Sequence, residues 1–130
     1  RLMARVIHFE VHAENPERAA RFYEAAFGWR LQHIPAIDYW TIQTGDGGPG
    51  IDGGLIRRRG PAPQQGQAVN AFVCTLGVDD LDASMKAGLD AGGTVALPRM
   101  TVPGVGYVAY LVDTEGNIFG LHQSDPNAKM

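Results

Sequence analysis

From Ala4 to His12 the chain alternates apolar and polar positions. Ile7, Phe9 and Val11 fall on one face, and His8, Glu10 and His12 fall on the other. This predicts a strand with one apolar and one polar side. Asn15 then suits a helix N-cap and Pro16 the first helical position. Ala19, Phe22, Tyr23, Ala26 and Phe27 recur at helical spacing as one apolar stripe, which makes Phe22, Tyr23 and Phe27 core residues, and Gly28 suits the C-cap. Residues 29–34 read as a strand that ends at Pro35. Residues 38–44 read as another, with Trp40 and Ile42 on one side and Tyr39, Thr41 and Gln43 on the other. The glycine-rich stretch Gly45–Gly50 is a turn, and residues 51–57 form a weaker strand through Gly53 and Gly54. Residues 58–66 have linker composition.

After the linker the pattern restarts. Residues 70–77 read as a strand, and Asp79 caps a helix that carries Leu81, Met85 and Leu89 and stops at Gly92. Residues 94–97 form a strand ended by Pro98, residues 107–112 another, Asp113–Gly116 a turn, and residues 117–123 the last strand. The tail from Ser124 is expected to fray. The order strand, helix, strand, strand, strand thus occurs twice. Gly53-Gly54-Leu55 echoes Phe119-Gly120-Leu121. The reading is an α+β chain of two βαβββ modules, residues 4–57 and 67–123, whose curved mixed sheets surround a cleft, with residues 58–66 as linker and 124–130 as tail.

Composition narrows the function. With 11 Lys and Arg against 14 Asp and Glu, the net charge of −3 excludes an electrostatic nucleic-acid footprint. The single cysteine excludes an internal disulfide framework and a cysteine zinc cluster, and fits a reducing compartment. No apolar run approaches a membrane span and no leader pattern occurs. The expected location is therefore the cytoplasm, with Met3 as the natural start and Arg1 and Leu2 additional to it. No P-loop or dinucleotide-binding glycine pattern is present.

The segments Val6–Val11 and Asn15–Trp29, together with Pro103–Tyr107 and Asp113–Leu121, resemble the first-module and last-strand signatures of the vicinal oxygen chelate superfamily. That group includes glyoxalase I, bleomycin-resistance proteins, fosfomycin-resistance enzymes and extradiol dioxygenases. The likeness runs from about Arg5 to Gln123 and is nearest to small bacterial glyoxalase-like proteins described as related to lactoylglutathione lyase. It implies the paired-module fold, a small-molecule ligand and a homodimer, and it implies a divalent metal in those relatives that use one. Carried over by position, His8 matches the first-strand metal ligand and Asn70 its second-module counterpart. The last-strand carboxylate falls on Gly120 and its first-module analogue on Gly54, neither of which has a side chain to ligate with.

Two functions follow. One is a cleft-type small-molecule-binding protein without the full metal set. The other is a metal-dependent lyase or isomerase acting on a small hydroxycarbonyl or thiohemiacetal. His8 is a metal ligand under the second reading, or a histidine hydrogen-bonded to Glu10 or Asn70 in a polar cleft. His8, Glu10 and His12 stand about 7 Å apart per step along a strand, so at most two could share one ion. Glu10 could serve as a general base or a structural acceptor, and His122 as a base or replacement ligand. The strand aromatics Trp40, Phe72, Tyr107 and Tyr110, with Asn70, are the ligand-contact candidates. Cys74 reads as a small buried hydrophobe. Arg57-Arg58-Arg59 is either solvated or a grip on an anion, and residues 101–106 form either a lid or a tight connection.

Overall fold

The computed structural model describes residues 4–130, so the reading of Arg1, Leu2 and Met3 lies outside the described residues. The chain divides into two compact units. One is His8–Phe72; the other joins the chain up to Ile7 with Val73–Met130.

The first unit holds strand β1 (Arg5–Ala13, of which the residues from His8 onward belong here), helix α1 (Pro16–Phe27), β2 (Arg30–Ile34), a 3-10 turn at Pro35–Ile37, β3 (Tyr39–Gln43) and β4 (Gly53–Arg57). Its strand order is β2-β3-β4-β1. β1 runs parallel to β4, with Glu10 beside Gly54, and β4 runs antiparallel to β3, with Gly54 beside Thr41. The alternation in β1 and β3 does what the sequence asks. Phe9, Val11, Ala13, Trp40, Ile42 and Leu55 make one buried cluster, against which Ala19, Tyr23, Trp29 and Leu31 pack. Burying side chains such as Ile42 and Leu55 contributes roughly 2 kcal/mol each. At the start of α1, Asn15 Oδ1 accepts from the Arg18 N–H at 3.0 Å. At its end Gly28 takes a left-handed conformation at φ 70°, and its N–H reaches the Glu24 carbonyl.

The apolar stripe of α1 is narrower than its spacing predicts. Ala19 and Tyr23 meet the core, but Phe22 and Phe27 stay 57% and 65% exposed. They lie at the edges of the stripe and make ring contacts with each other and with Tyr23 and Trp29 instead.

The second unit holds β5 (Val73–Gly77), α2 (Leu81–Asp90), β6 (Thr94–Val102), β7 (Gly106–Val112) and β8 (Ile118–Ser124), in the order β5-β8-β7-β6. β5 is parallel to β8, and β8–β7 and β7–β6 are antiparallel. Both units are therefore βαβββ with the first strand parallel to the last. The class is α+β, with eight strands of mixed pairing and two α-helices among the described residues.

Local details depart from the sequence reading. The cap of α2 is Asp80, one residue after Asp79, because the Asp80 carboxylate is the one that reaches the Ala83 N–H. β6 continues past Pro98: the β6–β7 register shifts between Leu97 and Met100, and a bulged edge strand tolerates a residue without an N–H. Residues 101–106 form a tight hairpin connection closed by the Val105 N–H on the Val102 carbonyl. The tail does not fray. Its Asp125 N–H bonds the Val105 carbonyl, the Gly104 N–H bonds the Ala128 carbonyl, and Ala128 is buried. Cys74 is exposed on β5. Among the described residues no helix is long and apolar enough to cross a membrane.

Candidate functional site

The polar face of the first unit is built by three adjacent strands. β1 presents His8, Glu10 and His12, β4 contributes Gly54, and β3 presents Tyr39 and Thr41. Glu10 is only 7% exposed. Its Oε1 lies 3.3 Å from His12 Nε2. The Tyr39 hydroxyl lies 3.1 Å from His8 Nε2. Burial, reinforced by the negative charge of Glu10, pushes the Tyr39 phenol up to about 12.

Gly54 explains how Tyr39 reaches this position. A Cβ at residue 54 would collide with the Tyr39 hydroxyl and with the ring carbon that carries it. The missing side chain is the space that the phenol fills, so the hydroxyl lies over β4 between the other two strands. Tyr39 was legible as a polar-face residue from its alternation with Trp40 and Ile42. Its pairing with Gly54 required the β3–β4 register.

The remaining candidates divide between faces and loops. Trp40, 4% exposed, belongs to the core beneath α1, where His33 stacks on it at 4.1 Å. Phe72 precedes β5 and stacks on Phe9, joining the aromatic residues on the α1 side. Asn70 also precedes β5; its Oδ1 accepts from Arg58 at 3.2 Å, so it fixes a loop. Arg58 also donates to the His12 carbonyl at 2.7 Å, and Arg57 is held by Asp38 at 2.7 Å. These two arginines thus hold the chain's own groups. Tyr107 packs on the α2 side of its sheet and donates to Asp125 at 2.9 Å. Tyr110 and His122 do share a sheet face, that of Thr75 and Gly120. Burial pushes the His122 imidazole down.

The registers also correct one equivalence. Glu10 pairs with Gly54, and Thr75 pairs with Gly120. The residue two before Glu10 is His8, and the residue two before Thr75 is Val73. The second-module counterpart of His8 is therefore Val73, an apolar side chain, and not Asn70. Gly120 is also covered, though less tightly than Gly54: a Cβ there would lie 2.8 Å from Thr75 Oγ1 and 3.2 Å from the Tyr110 ring. Of the four positions at which the resemblance places metal ligands, only His8 carries a donor. Among the described residues no group of three or more His, Cys, Asp and Glu side chains is placed to hold a metal ion.

The fold and this polar strand face define a glyoxalase-type module. A family model described as a glyoxalase-like domain matches residues 8–122, and the chain belongs to that family. It is 31% identical over 122 residues to a glyoxylase-like domain-containing protein of Didymella fabae, covering 89% of this chain and 91% of the relative. The fold is similar to that of methylmalonyl-CoA epimerase from Mycobacterium tuberculosis, with TM-score 0.65 and 16% identity over 93% of this chain and 88% of the other. It is also similar to the Mn(II)-bound glyoxalase from Novosphingobium aromaticivorans, with TM-score 0.59 and 18% identity. That likeness covers 97% of this chain but only 41% of the glyoxalase.

Proposed function

We propose that this protein is a small-molecule-binding member of the glyoxalase-like family whose first unit receives its ligand by hydrogen bonding, without a metal held by side chains. The observation that carries this reading is the Tyr39 phenol in the place of a side chain at Gly54, bonded to His8, the residue that matches the family's first-strand metal ligand. Glu10, buried beside His12, is the polar anchor of the face. The candidate for proton transfer in this unit is that carboxylate, held 3.3 Å from the His12 ring. The metal-dependent lyase or isomerase reading requires a donor set that Val73, Gly54 and Gly120 do not supply. The assembly proposed is a homodimer, supported by the family resemblance, in the cytoplasm, supported by the single cysteine; light scattering at micromolar concentration should give twice the 14.0 kDa chain mass.

The test is metal content. Untagged protein is assayed by elemental analysis, then titrated calorimetrically with Mn²⁺, Ni²⁺ and Zn²⁺. Substoichiometric metal and no saturable heat at 100 μM are expected. A stoichiometric ion that is lost in His8→Gln would overturn the reading.

A further inference from the structure

We propose that Asp46 is a covalent modification site, converted in the folded chain to an isoaspartyl residue by cyclisation onto the Gly47 nitrogen. The second Asp-Gly pair of the same loop, Asp52-Gly53, is protected by the fold. The chemistry needs only water. The Gly47 nitrogen attacks Asp46 Cγ and gives up its proton. An N–Cγ bond forms, and the carboxyl hydroxyl leaves as water, closing a succinimide ring. Water then adds to the main-chain carbonyl carbon of Asp46, and the bond from that carbon to the Gly47 nitrogen breaks. The chain now runs through Cγ, a carboxylate stands where the peptide carbonyl was, and the composition is unchanged.

A following residue without a Cβ leaves the ring room to close, and among the aspartates only Asp46 and Asp52 precede a glycine. Their surroundings differ. Asp46 and Gly47 are exposed at the loop tip between β3 and β4, outside both strands. Neither makes a backbone hydrogen bond among the described residues. A Cβ placed on Gly47 would meet nothing within 4 Å, so the rotation that brings Cγ onto the nitrogen is unobstructed. Asp52 is held: its Oδ1 accepts from the Thr44 N–H at 2.9 Å and from the Thr44 hydroxyl at 3.3 Å. Gly53 is buried in β4, paired with Phe9 of β1 and Ile42 of β3. Ring closure at Asp52 must first release the carboxylate and draw Gly53 out of the sheet. The product differs in consequence as well. An isoaspartyl residue lengthens the main chain by one methylene, which would disturb strand register at residue 52. No strand pairing crosses the tip, and Thr44 closes the base of the loop by donating its hydroxyl to the Ile51 carbonyl at 2.7 Å. The folded chain therefore accommodates the change at residue 46.

The experiment ages the full-length protein for several weeks at physiological temperature and pH, one sample folded and one in guanidinium chloride. Isoaspartate is read in two ways. One is transfer of a labelled methyl group from S-adenosylmethionine by a protein L-isoaspartyl methyltransferase, mapped to peptides. The other is loss of cleavage by an endoproteinase that cuts before aspartate and not before isoaspartate. In the folded sample the label is expected at residue 46, and cleavage before Asp46 should decline while cleavage before Asp52 persists. Residue 52 should react at least about tenfold more slowly, the worth of one hydrogen bond to a charged group. In guanidinium chloride the two rates should converge. Asp46→Glu, whose longer side chain disfavours the ring, should remove the label from the folded protein. Equal accumulation at the two residues in the folded sample, no label at residue 46, rates that stay apart in guanidinium chloride, or unchanged labelling of Asp46→Glu overturns the proposal.

Discussion

At the scale of single residues, one exchange organises the polar face: a side chain is absent at Gly54 and a phenol from the next strand takes its place. The consequence is measurable without any ligand. The Tyr39 phenol is pushed up to about 12 by burial and by Glu10, whereas an unfolded chain releases that proton near 10. Between these values the native state holds a proton that the unfolded state has lost, so stability falls as pH rises through this window. Below about pH 10 the contribution is complete. Two units correspond to a loss on the order of 2 kcal/mol by pH 12. Phenolate absorbance should show a late-titrating tyrosine that Tyr39→Phe removes, and urea midpoints of that variant should fall less steeply above pH 10 than those of the wild type. A single phenolate step at the ordinary value in the folded protein would contradict the packing described.

At the scale of elements, the helix ends are the most local and hence the most legible features. Asn15, Pro16 and Gly28 announce α1 because each satisfies or removes a backbone group within its own turn. Asn15→Ala should therefore cost about 1 kcal/mol and lower the melting temperature by a few degrees in a thermal scan, with no change at the polar face. What was not legible depends on partners distant in sequence. Pro98 looks like a strand end, yet the β7 register supplies a bulge that accommodates it. Ser124 onward looks like a loose tail, yet the Val102–Gly106 turn offers backbone partners and holds Ala128. Asn70 looks like the repeat partner of His8 until the β5–β8 register assigns that place to Val73. Phe22 and Phe27 have core spacing, but an apolar stripe does not reveal how much of its width the sheet will cover. The candidate site was legible on β1, where alternation alone separates His8, Glu10 and His12 from the core. It was not legible at Tyr39 and Gly54, which meet only through strand pairing.

At the scale of the whole molecule, the duplicated βαβββ pattern supplies an internal control. Equivalent places in the two units carry different chemistry: His8 and Glu10 in the first, Val73 and Thr75 in the second. A buried carboxylate is kept in one unit and a hydroxyl in the other, although the strand geometry is shared. Buried charge is costly to a fold, so a carboxylate buried in one unit only is what the function proposed for that unit's polar face requires. Copying the second unit onto the first tests this. The double variant His8→Val/Glu10→Thr should lose about 1–2 kcal/mol in urea unfolding, because the Tyr39 hydroxyl loses its His8 partner whereas His12 reaches solvent and remains hydrated. The reverse transplant, Val73→His/Thr75→Glu, inserts a carboxylate at a buried position where Thr75 already crowds Gly120. That change should destabilise by roughly 3 kcal/mol or more in urea unfolding, since nothing at Gly120 can satisfy the new charge. Equal penalties from the two transplants would mean that Glu10 is a structural residue whose burial serves the fold, and the asymmetry between the units would then carry no functional meaning.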